Sequence, residues 1–224
     1  MVKDDILENY RCPSDNISVV YNGVDLNRFH PKNKKIYRKS TREQLGIPEN
    51  SLLIFFVGSG FERKGLKFLL QSTEFLEDKN WRLLLMGKGN FEKYLHFAPY
   101  NKRDQIIAEK PNPEIEKFYA AADLFILPSI YEPFGNANLE ALATGLPVIT
   151  TKYCGAANII DEKINGLIIA DPFNPQEIAK NINFLFNSSL REIMGKKARD
   201  LAEQFPPERN KREMLQIYES VVRS

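Results

Sequence analysis

Along the chain, short unbroken apolar runs alternate with longer stretches in which apolar residues recur every three or four positions. The runs LLIFFV (52–57), WRLLLM (81–86), QIIA (105–108), DLFILP (123–128), PVITT (147–151) and GLIIA (166–170) are too brief for helices and rich in strand-forming residues. A run without polar alternation is buried on both faces, the mark of an interior parallel strand. Helical spacing covers 64–77, 90–97, 113–121, 137–144, 155–160, 175–187, 189–204 and 208–222. Strand then helix, repeated, predicts an α/β fold: a single Rossmann-like domain with a doubly wound parallel sheet, right-handed crossovers and helices on both faces.

The first fifty residues break this rhythm. ISVVYNGVD (17–25) predicts a strand ending in an Asn-Gly turn, and the basic stretch PKNKKIYRKS follows as a connector. Ser40-Thr41-Arg42-Glu43 then fits a capping box that opens a short helix closed by Gly46. The Phe positions within 64–77 and 175–187 follow helical spacing and are expected in the core. Trp81, opening a strand, is expected in the core or at its rim, and His30 and His96 on the surface or in loops.

Composition narrows the function classes. At 224 residues and 43% hydrophobic content, the chain can bury one substantial core. Its 31 basic and 29 acidic residues leave a net charge of +2, so no long-range field singles out nucleic acid or anionic lipid. Any anion must be held locally. Cys12 and Cys154, far apart and without metal-ligand spacing, read as free thiols of a reducing compartment. The longest apolar run is about a third of a membrane span, and a secretory core is missing from the charged N-terminus, so a soluble cytoplasmic protein is expected.

Ligands of such sheets bind beyond the C-terminal strand ends, where loops feed helix starts. Three loops there carry chemistry. GSGFERKG (58–65) offers glycines for close backbone approach, and Arg63 and Lys64 as cations suited to a diphosphate. Arg stands where a dinucleotide fingerprint needs its third glycine, no acid ends the second strand, and no GK[ST] follows, which disfavours nicotinamide and triphosphatase chemistry. Read alone, Arg63 and Lys64 fit a solvated basic pair equally well. Lys88 in GKGN (87–90) is likewise either a further ligand cation or an exposed turn lysine. In YEPFGNANLE (131–140), Pro133 and Gly135 keep the chain irregular before a helix begins near Asn136 or Ala137. That leaves Glu132 in the loop and Glu140 one turn into the helix, both within reach of one cleft. Carboxylates accept hydrogen bonds from sugar hydroxyls, worth roughly 1.5 to 3 kcal/mol each. Two acids beside two cations fit a ligand anionic in its middle and hydroxyl-rich at both ends, as a nucleotide sugar is. The structural alternative leaves Glu132 in solvent and Glu140 as a favourable charge near a helix start.

NGVDLNRF (22–29), FVGSGFERKG (56–65), AADLFILPSIYEPFGNANLEALATGLPVIT (121–150) and NGLII (165–169) together resemble the C-terminal, donor-binding domain of retaining GT-B glycosyltransferases of family 4 (group 1). FVGSGFERKG and TTKYCGAANII look most like the lipopolysaccharide core glucosyltransferases within it. The likeness runs from about residue 15 to the end, and its specific part is the pair Glu132 and Glu140 inside EPFGNANLEALATGLPV. It implies that Arg63 and Lys64 hold the diphosphate, that Glu132 contacts the transferred sugar and that Glu140 binds ribose. It places Phe134, Gly135, Asn136 and Ala137 along sugar and phosphate, Gly58 and Ser59 beside the phosphates, and Lys110 in the segment 109–113 that frames the base; Lys88, from its own loop, is counted with them as a donor-binding candidate. UDP-glucose is the donor it suggests, with no cofactor and no metal, and a saccharide or lipid-linked hydroxyl acceptor in cell-surface or lipopolysaccharide synthesis. Retention by a same-face route is favoured over a Glu132 nucleophile.

The resemblance also implies an acceptor domain, N-terminal in such enzymes, for which this chain has no room. On that reading 1–224 is the donor domain, 1–50 a linker-proximal strand and connector, and 206–224 a helix crossing toward the other half, supplied in cis or in trans. Alone, the chain is expected to bind donor weakly and transfer little; any contact with the inner membrane face would come through the absent half. The rival class is a non-catalytic nucleotide-sugar binding or regulatory module; an epimerase of like architecture fits the Glu132 loop less well.

Overall fold

The structure, a computed structural model, describes residues 1–223. Its centre is a six-stranded, all-parallel sheet in the order β3-β2-β1-β4-β5-β6. The strands are β1 (Leu52–Val57), β2 (Trp81–Met86), β3 (Ile106–Glu109), β4 (Leu124–Leu127), β5 (Val148–Thr151) and β6 (Gly166–Ile169), close to the six apolar runs. β1 pairs with β2 along its whole length, Leu52 opposite Trp81 and Val57 opposite Met86. On its other side β1 meets β4, with Ile54 opposite Leu124 and Phe55 opposite Phe125. Strand order therefore reverses between β1 and β4, and the loops leaving those two strands diverge around a crevice.

The helices are α1 (Val2–Asn9), α2 (Asn33–Gln44), α3 (Leu66–Ser72), α4 (Glu92–Leu95), α5 (Glu116–Ala121), α6 (Asn136–Ala143), α7 (Pro175–Phe184), α8 (Ser188–Ala202) and α9 (Pro207–Arg223). They flank the sheet in packed pairs, α2 with α5, α3 with α7 and α6 with α8. Among the described residues no helix is long and apolar enough to cross a membrane. Leu53, Phe55, Phe56, Leu84, Phe125 and Ile126 are fully buried, each side chain worth about 1.5 to 3 kcal/mol of apolar transfer. Trp81 is buried as expected. Tyr119 sits in an aromatic cluster, edge-on to Phe29 at 5.6 Å and to Phe55 at 5.0 Å.

Several expectations need correction. Residues 17–25 form no strand: Val24 N–H donates to the Phe205 carbonyl at 2.9 Å, and Asn210 donates to that of Tyr21 at 2.8 Å. The segment is pinned to the start of α9, where a Cβ on Gly23 would lie 2.6 Å from Pro207 Cα, and it joins no ladder. The basic stretch is no connector either, because α2 begins at Asn33 and runs through it, leaving Ser40 mid-helix. Its buried face is polar, made by Asn33, Thr41 and Arg42, so a search for apolar periodicity passes over it. Gly46 does close that helix, at φ 64°. Residues 155–159 form a 3-10 turn rather than an α-helix. Phe75 and Phe184 are exposed at the lip of a cleft near β6, since the apolar face of a helix outruns the core at the sheet edge.

Arg42 is the most deeply buried charge. It is 1% exposed and donates to the carbonyls of Ala121 (2.9 Å), Pro48 (2.9 Å) and Ser51 (3.0 Å) and to Asp123 Oδ2 at 2.6 Å. Asp123 in turn accepts the Leu53 N–H at 2.7 Å, which locks α2 to the entry of β1 and β4. Burial lowers the Arg42 pKa, opposed by Asp123.

Candidate active site

The loop after β1 is built from tight turns. Lys64 N–H returns to the Gly60 carbonyl (3.1 Å) and Leu66 N–H to that of Phe61 (3.0 Å), while Phe61 stacks on Phe91 with ring centres 4.4 Å apart. Gly65, at φ 71°, caps α3 in the left-handed region, and a Cβ there would lie 2.0 Å from the Pro128 carbonyl oxygen. That close approach brings this loop against the one leaving β4. Ile130 N–H donates to the Arg63 carbonyl at 2.8 Å.

The two loops then meet through charge. Arg63 Nη1 donates to the Tyr131 carbonyl and to Glu132 Oε2, both at 2.9 Å, and Lys64 Nζ donates to the same Oε2. One carboxylate oxygen thus holds two cations. Lys64 and Glu132 have side chains 12% exposed, whereas Arg63 is 48% exposed. Arg63 makes these contacts through Nη1 alone, and Nε and Nη2 have no hydrogen-bond partner among the described residues. Two positive charges on one negative leave a net positive locus at the switch point. The Lys64 stem runs over Gly58, where a Cβ would meet its carbons at 3.2 to 3.5 Å.

Glu132 is fixed from behind by the segment after β5. Its N–H donates to the Tyr153 carbonyl and its carbonyl accepts from Gly155, both at 2.9 Å. Gly135, at φ 79°, caps α6, and buried Asn138 and Cys154 pack beneath it, Asn138 Nδ2 lying 3.2 Å from Cys154 Sγ. Burial pushes the Cys154 thiol pKa up, away from reactive thiolate chemistry, and both cysteines are free thiols. Asn136 and Ala137 start α6, where the first N–H groups have no preceding helical carbonyl to bond, while Asn138 N–H donates to the Gly135 carbonyl at 2.9 Å. Asn136 Oδ1 accepts from Asn22 at 2.7 Å, and Phe134 tilts against Tyr21 at 5.8 Å.

Glu140 lies one turn into α6 and has a different environment. The hydroxyl of fully buried Tyr119 donates to its Oε2 at 2.8 Å. Burial raises the Glu140 pKa, opposed by the Tyr119 hydrogen bond and by the Arg28 charge. Burial pushes the Tyr119 phenol well above its usual range. The two glutamates of the motif share no hydrogen-bond or ion-pair partner: Glu132 faces the cations and Glu140 faces Tyr119 and Arg28. Arg28 is itself positioned by Glu116, 2.9 Å away, and by the Pro113 carbonyl.

Lys88 and Lys110 are exposed, and their side chains make no hydrogen bond or ion pair to the described residues. Lys88 joins only through its N–H, 3.3 Å from the Ser59 hydroxyl. Sequence reasoning missed Tyr119, which reads as one more core aromatic, and Arg28, whose setting depends on the fold over 22–29. His30 accepts the Lys32 N–H in a loop, and His96 is exposed. Among the described residues no group of three or more His, Cys, Asp or Glu could hold a metal ion.

The Glu140 environment sets a pH expectation. Its folded pKa lies above the unfolded one, so the preference for the protonated form is fully present below the unfolded pKa and is lost as pH rises through the folded pKa. Tyr119→Phe removes a bond to the carboxylate, with an expected cost of about 1.5 to 3 kcal/mol near neutral pH. The cost shrinks once Glu140 is protonated. Urea denaturation of both chains at about pH 7 and about pH 4 checks this, and equal losses at the two pH values would contradict it.

A parallel sheet with cationic and acidic loops at its switch point belongs to the α/β class whose ligands bind beyond the C-terminal strand ends. Residues 37–201 match the family described as glycosyl transferases group 1, and the chain belongs to that family. The D-inositol 3-phosphate glycosyltransferase of Corynebacterium kroppenstedtii is 30% identical over 235 residues, covering 99% of this chain and 52% of that protein. WaaG, a glycosyltransferase involved in lipopolysaccharide biosynthesis, superimposes with a TM-score of 0.81 at 27% identity, over 94% of this chain and 58% of its own. Anabaena HepE, solved in complex with UDP-glucose, gives 0.82 at 22% identity, over 97% and 61%, a likeness of fold. The chain spans about half the length of the curated relatives it matches. Its architecture is that of the C-terminal half of a GT-B glycosyltransferase.

Proposed function

We propose that the chain is the donor domain of a retaining glycosyltransferase that takes a nucleotide-diphospho-sugar, UDP-glucose by default, and passes its sugar to a hydroxyl acceptor. The observation that carries this reading is the convergence of Arg63 and Lys64 on one oxygen of Glu132 at the switch point. A diphosphate offers the same cations several oxygens, and bonds of this charge-assisted kind are about twice as strong as neutral ones. Arg63 and Lys64 clamp the diphosphate, and Glu132, released toward the sugar, accepts from its hydroxyls. Glu140, oriented by Tyr119, accepts from the ribose, and the start of α6 with Phe134, Gly135, Asn136 and Ala137 lines the sugar and phosphate.

In the transfer step the bond from the sugar anomeric carbon to the diphosphate oxygen breaks, and its electrons stay on that oxygen. Arg63 and Lys64 stabilise the growing charge, which is the role of a metal ion in other transferases, so the reaction proceeds without one. The departing phosphate takes the acceptor's proton while the acceptor oxygen bonds the same face of the carbon. An N-terminal GT-B half supplies the acceptor contacts, and the complete enzyme works in the cytoplasm in cell-surface polysaccharide or lipopolysaccharide synthesis.

Thermal melting against ADP-, GDP- and UDP-glucose tests the donor assignment. Selective stabilisation by one of them is expected, with Tm rising with occupancy. If none of the three shifts Tm at millimolar concentration, the donor reading fails.

A further inference from the structure

A second concentration of positive charge lies at the opposite end of the sheet. Asp123 immediately precedes β4, whereas Glu132 follows that strand, so the two clusters are separated by the strand's length. Beside Asp123 a cleft of about 420 Å³ opens between α2 and α8, lined among others by Lys34, Ser188, Arg191 and Arg199. Its acids are already committed. Asp123 Oδ1 takes Arg38 at 3.0 Å and Oδ2 takes Arg42 at 2.6 Å, Glu192 pairs with Lys196 at 2.9 Å, and Asp200 with Lys197 at 3.4 Å. Arg199 pairs with Glu203 at 2.9 Å.

Two cations are left over. The Lys34 ammonium has neither a hydrogen bond nor an ion pair to any described residue, whereas the backbone N–H of Lys34 donates to the Pro31 carbonyl at 3.1 Å. Arg191 gives Nη1 to the carbonyls of Leu185 and Phe186, and among the described residues no carboxylate lies within ion-pair distance of it. Burial lowers the Lys34 pKa and the nearby charges of Arg38, Arg191 and Arg42 lower it further, with Asp123 alone opposing. Lys34, Arg38, Arg42 and Arg191 therefore crowd around a single fully bonded carboxylate. A half-buried ammonium without a partner lowers folding stability, and an anionic ligand offsets that cost.

We infer that this cleft is a second anion site, held by Lys34 and Arg191 and suited to a phosphomonoester dianion on a small polar body. Two cations without a carboxylate partner match the charge of such a dianion, and the volume admits a phosphorylated sugar. Ser188, the first residue of the 15-residue helix α8, lines the same cleft and adds a hydroxyl donor there. Because β4 separates it from Arg63 and Lys64, the ligand is not the sugar donor.

Calorimetric titration with inorganic phosphate, at ionic strength matched with chloride, tests the site. The Arg63→Ala/Lys64→Ala chain removes the switch-point clamp and is expected to retain phosphate binding. Adding Lys34→Gln to that chain is expected to weaken it by about ten-fold or more. In chloride alone, Lys34→Gln is expected to melt no lower than the parent, which separates a ligand-facing cation from a structural one. Glucose 6-phosphate and vesicles of phosphatidic acid in phosphatidylcholine distinguish the source. Binding of the soluble ester alone marks a metabolite, and Lys34-dependent binding of the vesicles marks a lipid headgroup; either supports the site. Phosphate binding unaffected by Lys34→Gln, or lost with Arg63 and Lys64, overturns it.

Discussion

The Lys64→Ala chain is expected to bind a nucleoside diphosphate about 100-fold more weakly than the parent, a loss of roughly 2.7 kcal/mol. Lys64 is held more firmly than a surface lysine. Its stem lies on Gly58 and its ammonium on Glu132, with the side chain 12% exposed. Truncation removes one of two cations and leaves the Glu132 carboxylate with Arg63 alone, so the locus that attracts a diphosphate falls from net positive to neutral. Half-exposed Arg63 lies in better solvent screening, and Arg63→Ala is expected to cost less. Calorimetry with UDP and UDP-glucose measures both. A loss below about three-fold for Lys64→Ala would mean that the diphosphate binds elsewhere.

Gly65→Ala is expected to be the most destabilising single methyl addition at the site. The residue combines a left-handed φ of 71° with a Cβ position 2.0 Å from the Pro128 carbonyl oxygen, which belongs to backbone and cannot swing aside. Strained backbone costs about 1 to 3 kcal/mol and forced overpacking about 1 to 3 more, so a loss near 4 kcal/mol is expected. For a chain of this size that corresponds to a fall in Tm of about 8 to 16 °C. Gly60→Ala is the control. It also has a positive φ, 73°, but no atom lies within 4 Å of its Cβ position, so only the strain remains. Equal losses at the two positions would show that the contact with Pro128 is immaterial.

The sheet was legible because its central strands are buried on both faces, as LLIFFV and DLFILP show, while the edge strand β3 is only partly covered. Their order was legible only as a class, since nothing in the chain states that β1 lies beside β4. The ion pairs of Glu132 with Arg63 and Lys64 follow from that adjacency, and so could be expected as a shared cleft but not as direct bonds. Where structure rests on polar burial, periodicity fails. The α2 helix was hidden because Asn33, Thr41 and Arg42 make its buried face, and Arg42 owes its place to Asp123, eighty-one positions away. Residues 17–25 mislead in the opposite sense, since their strand-forming residues serve hydrogen bonds with Phe205 and Asn210 and packing on α9 rather than a ladder. The role of Tyr119 depends on one hydroxyl in an aromatic cluster, and no spacing rule distinguishes it from phenylalanine.

The same two cations serve Glu132 in the structure and a diphosphate in the proposed reaction, so acid and ligand compete for them. Calorimetry of UDP binding to Glu132→Gln tests this most directly. Removal of the competing charge is expected to tighten UDP binding by about ten-fold, while sugar transfer in the presence of an N-terminal half falls sharply. UDP binding that weakens on Glu132→Gln, or does not change, would contradict a diphosphate seat on Arg63 and Lys64.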